Sequence, residues 1–188
     1  MRKFLIVGLG NIGKEYENTR HNIGFQILNA LAEDQEEIFK TEKLGEIVRF
    51  RQKGRTFILL KPSTYMNLSG KAVKYWMTQE KIQAENILIV TDDVHIEFGT
   101  IRIKTKGSAG GHNGLKDIQD KLQSHQYPRF RFGVGANYPR GRQADFVLSS
   151  WTKEEESQLL ERIPIATKAI ISYATAGIDI TMNSFNGK

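Results

Sequence analysis

The sequence contains no cysteine, which removes several kinds of chemistry. Without thiols the chain can form no disulfide, no Cys-type zinc site and no cysteine nucleophile. The four histidines (His21, His95, His112 and His125) are scattered, and none has the i, i+4 partner of a helical metal site. We therefore expect a protein that works without a metal or other cofactor.

Three further signals are missing. No apolar run approaches the length of a membrane span, and the N-terminus lacks the long apolar core of a signal peptide. We therefore expect a soluble, cytoplasmic protein. No G-x-S-x-G motif supplies a nucleophilic serine, so a histidine base would have to activate water directly.

Carboxylates are outnumbered by basic side chains, 21 against 27, which leaves a net charge of +6. The excess is concentrated between residues 99 and 142, where nine basic side chains and two carboxylates give a net charge of +7. This concentration favours a phosphate-binding surface with strong salt dependence over a merely solvated face. The basic residues are Arg102, Lys104, Lys106, Lys116, Lys121, Arg129, Arg131, Arg140 and Arg142.

Strand and helix patterns alternate along the chain, which indicates an α/β fold. The 188 residues fit a single domain, 1–188, with one core. Residues 45–51 and 56–61 have the pattern of a hairpin, and the apolar run 87–90 that of a strand buried on both faces. We predict a mixed, mostly parallel twisted sheet flanked by helices, with a C-terminal helix over 153–177 that Pro164 kinks or breaks.

The segment from Phe4 to Gly24 organises the chain, because a short apolar strand runs into a glycine loop that ends on a histidine, His21. Gly8, Gly10 and Gly13 spell the G-x-G-x-x-G dinucleotide fingerprint. The third glycine is followed by charged and polar residues instead of an amphipathic helix, so nicotinamide binding is not favoured. The glycines indicate tight turning or close approach of the backbone to a ligand.

Polar clusters follow several predicted strands, and such ends can converge at the carboxyl edge of a parallel sheet. His21 suits general-base chemistry, although a surface or capping histidine is an equal alternative. Asp92 could orient that imidazole, or it could cap a turn as Asp93 is expected to do. His112 is a second candidate base, but we favour a histidine packed under its glycine loop.

Asn11, Asn67 and Asn113 are a further feature of these clusters. An asparagine offers one acceptor and two donors, which suits recognition of a peptide backbone or of a developing oxyanion. For any single asparagine, a local turn role is the alternative.

Five motifs in order and register resemble bacterial peptidyl-tRNA hydrolase along nearly the whole chain. They are Gly-Leu-Gly-Asn at 8–11, Thr-Arg-His-Asn at 19–22, Tyr-Met-Asn-Leu-Ser-Gly at 65–70, Asp-Asp at 92–93 and Gly-Ser-Ala-Gly-Gly-His-Asn-Gly-Leu-Lys-Asp-Ile at 107–118. The resemblance implies a monomeric, metal-independent hydrolase that cleaves the ester between a peptide and the 3′ end of tRNA. Its expected partner is peptidyl-tRNA, held at the acceptor stem and 3′ end.

The same resemblance implies roles for individual residues. His21 corresponds to the catalytic base, Asp92 to its supporting carboxylate, and Asn11 to the position that distinguishes blocked from free α-amino groups. The remaining matches are contacts to substrate and tRNA at Tyr16, Tyr65, Asn67 and Asn113, and a phosphate clamp at Lys104 and Arg131.

The sequence departs from the family pattern at Ile12, which is usually proline, and over 95–98, which is usually acidic and contains proline. A non-catalytic RNA-binding module with the same fold is the main alternative. His21 and Asp92 argue against it, since phosphate binding alone requires neither.

Overall fold

Seven strands form one sheet: β1 (Arg2–Gly8), β2 (Lys40–Glu42), β3 (Gly45–Gln52), β4 (Arg55–Pro62), β5 (Ile87–Asp93), β6 (Ile101–Lys104) and β7 (Arg129–Gly133). A computed structural model describes all residues 1–188. The strand order is β2-β3-β4-β1-β5-β7-β6. The four inner strands β4, β1, β5 and β7 are parallel, while β2, β3 and β6 add antiparallel edges. The predicted mixed, mostly parallel sheet is confirmed.

Helices cover both faces of this sheet: α1 (Ile23–Asp34), α2 (Ser69–Glu80), α3 (Asn113–Leu122), α4 (Gln143–Val147), α5 (Lys153–Ala176) and α6 (Ile178–Phe185). One core contains residues of α1 and α5, and the other contains residues of α2 and α3. The continuous apolar runs of β1 and β5 serve both cores. Phe4 and Ile6 face the first core, whereas Leu5 and Val7 face the second.

A close crossing of α1 over the end of β1 places the first glycine loop. A side chain at Gly24 would lie 2.5 Å from the backbone nitrogen of Leu9 and 2.6 Å from the carbonyl oxygen of Val90. A side chain at Gly8 would in turn overlap the Gly24 carbonyl. The loop after β1 therefore leads back close to the edge of the sheet, where only glycine fits between α1 and β1. The 3₁₀ turn Arg20–Asn22, which carries His21, lies directly before α1.

Most predicted elements are confirmed, including the hairpin of β3 and β4 and the buried strand β5. No long helix opens on Gly13, since only the 3₁₀ turn Lys14–Tyr16 follows it. Of the two alternatives predicted at Pro164, the break is wrong, because α5 runs continuously from Lys153 to Ala176, while the kink stays a prediction. Pro164 lies on the exposed side of the helix, next to water that can satisfy the carbonyl group freed by its missing N–H.

No helix combines the length and the apolar character that a membrane span requires.

Candidate active site

A cavity of about 650 Å³ opens beside the carboxyl ends of the parallel strands. Loops that follow β1, β4, β5 and β6 contribute to its lining, together with α4. Seven of the nine residues predicted from the sequence line it: Asn11, His21, Asn67, Asp92, Lys104, Asn113 and Arg131. The convergence expected of parallel strand ends therefore occurs here.

His21 and Asp92 are in direct contact in this cavity. His21 Nδ1 lies 2.8 Å from Asp92 Oδ2, and the Asp92 side chain is almost fully buried. Because the carboxylate can only accept, His21 Nδ1–H donates and its Nε2 retains a lone pair. The pair thus has the base-and-carboxylate arrangement of a catalytic histidine.

Arg20 anchors the turn that carries His21. The guanidinium is buried, with Nη1 donating to the Ser150 carbonyl at 2.9 Å and Nη2 to Glu155 Oε1 at 2.6 Å. Arg20 also lies over the Phe146 ring at 4.3 Å. These contacts join the turn to α4 and α5, so the imidazole is held between rigid elements. No role for Arg20 was predicted from the sequence. Its only signal there is its place next to His21 in the Thr-Arg-His-Asn motif.

A second histidine completes the cluster, although the four histidines are scattered along the sequence. The rings of His21 and His112 are 5.0 Å apart, with Asp92 between them. His112 Nε2 lies 2.8 Å from Asp92 Oδ1 and 2.8 Å from Thr91 Oγ1. Asp92 therefore uses one carboxylate oxygen for each imidazole.

The two imidazoles determine the charge of Asp92. Burial alone would raise the pKa of this carboxyl group. The electrostatic interactions and hydrogen bonds with His21 and His112 outweigh burial and hold the Asp92 pKa well below its usual range. Asp92 is therefore a carboxylate at neutral pH.

His21, Asp92 and His112 also resemble a set of metal ligands. Their ligand atoms all lie within 4.8 Å of one another. His112 Nδ1, however, accepts hydrogen bonds from the Gly114 and Leu115 amides at 3.1 and 3.3 Å, which leaves the ring proton on Nε2. A metal at Nε2 would have to displace that proton, so the hydrogen bonds oppose metal ligation.

The three asparagines differ in how firmly they are held. Asn11 is buried, and its Oδ1 accepts from the Met66 amide at 2.7 Å. Its backbone N–H and C=O both bond to the Asn22 side chain, at 2.8 and 2.9 Å. Asn67 and Asn113 are exposed and bond to no other residue through their side chains, so their amides are available to a ligand.

The two predicted tyrosines lie outside the cavity lining. Tyr16 is half-buried in its 3₁₀ turn, and Tyr65 is 54% exposed next to Met66 and Asn67. Any contact they make with a substrate is therefore at the rim or beyond it.

The basic segment divides into free and structural residues. Lys104 is exposed and makes no ion pair, while Arg131 Nη1 lies 3.3 Å from Asp93 Oδ2. Arg129 is buried, donates to the Ser108 and His125 carbonyls and lies over the Tyr127 ring. Arg129 thus supports the glycine-rich loop before α3, residues 107–112, and does not add to the basic surface.

The model of the family described as peptidyl-tRNA hydrolase matches residues 5–188. The peptidyl-tRNA hydrolase of Phocaeicola vulgatus is 54% identical over 186 residues, which is 99% of this chain and 100% of the relative. That of Azobacteroides pseudotrichonymphae is 52% identical over 184 residues, covering 98% and 99% of the two chains.

Solved structures give the same match. The crystal structure of peptidyl-tRNA hydrolase from Acinetobacter baumannii superposes with a TM-score of 0.91 at 36% sequence identity. The superposition covers 97% of this chain and 94% of that one.

Proposed function

The chain belongs to the peptidyl-tRNA hydrolase family, and from this premise we propose how its cavity hydrolyses the ester that joins a peptide to tRNA. The observation that carries the proposal is the 2.8 Å contact between His21 Nδ1 and Asp92 Oδ2. It leaves Nε2 of a cavity-lining imidazole as a base, and no serine hydroxyl is bonded to His21. Water is therefore the nucleophile.

In the proposed reaction, His21 Nε2 takes a proton from water as the water oxygen attacks the ester carbonyl carbon. Asp92 keeps Nδ1–H in place and stabilises the imidazolium that forms. The tetrahedral intermediate then expels the 3′ oxygen of tRNA, which receives the proton from His21. The products are free tRNA and a peptide with a new carboxyl group.

Asn11 has a specific role in this proposal. Its Oδ1 is occupied by the Met66 amide, so only Nδ2–H is left to meet the substrate. A blocked α-amino group brings a carbonyl oxygen that can accept this bond, whereas a free ammonium group brings only donors. Asn11 thereby favours substrates with a blocked amino group.

Asn113 and Asn67 supply the remaining polar contacts to the reacting end. Both line the cavity with unpaired side-chain amides. We assign Asn113 as a donor to the oxyanion because it lies directly after His112, which touches Asp92. Asn67 is assigned to the peptide backbone.

The tRNA is assigned to the basic side of the cavity. Lys104 and Arg131 hold a phosphate, and Tyr16 and Tyr65 contact the 3′ end from outside the cavity lining. The acceptor stem then extends along the exposed basic side chains of residues 99–142, among which the buried Arg129 does not count. We also propose that residues 1–188 act as one domain and as a monomer, in the cytoplasm where peptidyl-tRNA arises.

The function is tested by comparing N-acetyl-aminoacyl-tRNA with free aminoacyl-tRNA. We expect rapid cleavage of the blocked substrate only, because Asn11 offers a donor and no acceptor. The released amino-acid derivative and tRNA are quantified over time. Salt-dependent binding without cleavage of either substrate would instead identify an RNA-binding module.

Replacement of Lys104 by alanine is expected to raise KM for the tRNA substrate while leaving kcat near the wild-type value. The slope of log(kcat/KM) against log salt should become shallower by about 1, since one phosphate contact is lost. Lys168→Ala is a matched control, because Lys168 is an exposed lysine on α5 outside the cavity lining. An equal effect of both substitutions would contradict a specific phosphate contact and leave Lys104 only a contribution to the net positive charge.

A further inference from the structure

We infer that His112 is a positioning residue for ester hydrolysis, one that ties the carboxylate of Asp92 to the start of α3. The inference rests on the function proposed above and deepens it. His112 is not the general base, and it does not touch the substrate ester. It acts by holding Asp92 on the side opposite to His21.

The first observation is that both ring nitrogens of His112 are engaged. Nδ1 accepts from the backbone amides of Gly114 and Leu115, which are the second and third residues of α3. His112 is therefore the N-cap of this helix, a position that usually holds Ser, Thr, Asp or Asn. A proton on Nδ1 would point at two N–H groups, so this nitrogen keeps its lone pair.

The tautomer follows from the cap. With Nδ1 unprotonated, the neutral ring carries its proton on Nε2, and Nε2–H donates to Asp92 Oδ1 at 2.8 Å. An imidazole held in this state has no free lone pair with which to take a proton from water. The same tautomer makes it a permanent donor to Asp92.

The consequence is a carboxylate clamped at both oxygens. His21 donates to Oδ2 and His112 to Oδ1, each at 2.8 Å. The rotation of the carboxylate is thereby fixed, and Oδ2 stays directed at His21. The cap also fixes Asn113, the first residue of α3, relative to the catalytic pair. One side chain thus aligns the base, its carboxylate and the proposed oxyanion donor.

Two substitutions separate the cap from the clamp. His112→Asn retains a side-chain oxygen for the helix amides, and asparagine is among the preferred N-cap residues. Its shorter side chain has no Nε2–H to reach Asp92. His112→Ala removes both the cap and the clamp. Thermal unfolding should therefore show His112→Asn close to the wild type and His112→Ala less stable.

Kinetics then test the positioning role. For His112→Asn we expect kcat to fall by about 10- to 100-fold, the range for loss of one hydrogen bond to a charged group. KM for N-acetyl-aminoacyl-tRNA should stay near the wild-type value. The wild type is assayed in parallel and tests the proposed function. If the wild type does not cleave the ester, the proposed function fails. If it does and only the His112→Asn result differs from expectation, the role of His112 fails alone.

The pH profile gives a readout that capping alone would not change. The titratable groups that face Asp92 are His21 and His112, and the nearby Arg131 is paired with Asp93. Loss of the His112 donor should raise the pKa of Asp92, because burial is then opposed by one imidazole only. The imidazolium that forms at His21 then faces a carboxylate with one donor fewer and is stabilised more strongly, so the acid limb of kcat/KM should move upward.

Three kinetic outcomes would overturn the inference. The first is a wild-type kcat for His112→Asn, and the second is a reduced kcat with an unchanged pH profile. The third is a loss as large as that of His21→Ala, which would assign His112 a direct part in proton transfer. Nitrogen NMR of the wild-type imidazoles should show His112 as the neutral Nε2–H tautomer, and a proton on Nδ1 would also contradict the argument.

Discussion

Replacement of His21 by alanine is expected to lower kcat for N-acetyl-aminoacyl-tRNA by about 10²- to 10⁴-fold, the usual contribution of a positioned general base. The substitution removes the one imidazole nitrogen of the cluster that is free to accept a proton, since both nitrogens of His112 are engaged. KM should change little, because the asparagines and the basic side chains remain. Single-turnover cleavage at saturating enzyme would measure the chemical step directly.

His95→Ala is a matched control for this experiment. His95 also lines the cavity, but the only hydrogen bond of its side chain is a long one of 3.4 Å between Nε2 and the Gly110 carbonyl. We expect its kcat to stay near the wild-type value. If His21→Ala still cleaves the substrate, the proposed function stands but another residue is the base. His112 would then be tested first, and the argument that both its nitrogens are hydrogen-bonded would have to be revised.

The parts of the fold that were predicted are those in which local pattern and tertiary burial agree. β5 has four consecutive apolar residues, Ile87 to Val90, and all four are fully buried between the two cores. β2 was not predicted, because its three residues are exposed and form a strand only through pairing with β3. Local composition carries no trace of such pairing.

Predictions about the site identified residues from local pattern but missed the contacts between them, which depend on tertiary structure. His21 and Asp92 could be proposed because each follows a strand pattern, yet their contact spans 71 positions and depends on strand order. His112 was taken for a packed histidine, since its tie to Asp92 is visible only in three dimensions. Arg129 was counted as surface charge because strand alternation gives the face of a residue and not the loop that covers it.

Replacement of Asp92 by asparagine is expected to lower kcat by about 10³- to 10⁴-fold, as loss of the carboxylate from a histidine–aspartate pair does. The asparagine would have one oxygen and one NH₂ for two imidazoles that both donate. The cap keeps the proton of His112 on Nε2, so the amide oxygen turns to His112 and the NH₂ to His21. His21 must then accept at Nδ1 and carry its proton on Nε2, which removes the base.

Asp93→Asn provides the matched control, since the same chemical change is made one residue away. Asp93 contacts Arg131 and the His95 amide but neither His21 nor His112, so kcat should stay near the wild-type value. The double variant Asp92→Asn with His112→Asn should be no less active than Asp92→Asn alone, because His112 acts only through the carboxylate already lost. Losses that multiply in the double variant would show that His112 contributes to the reaction by a separate route.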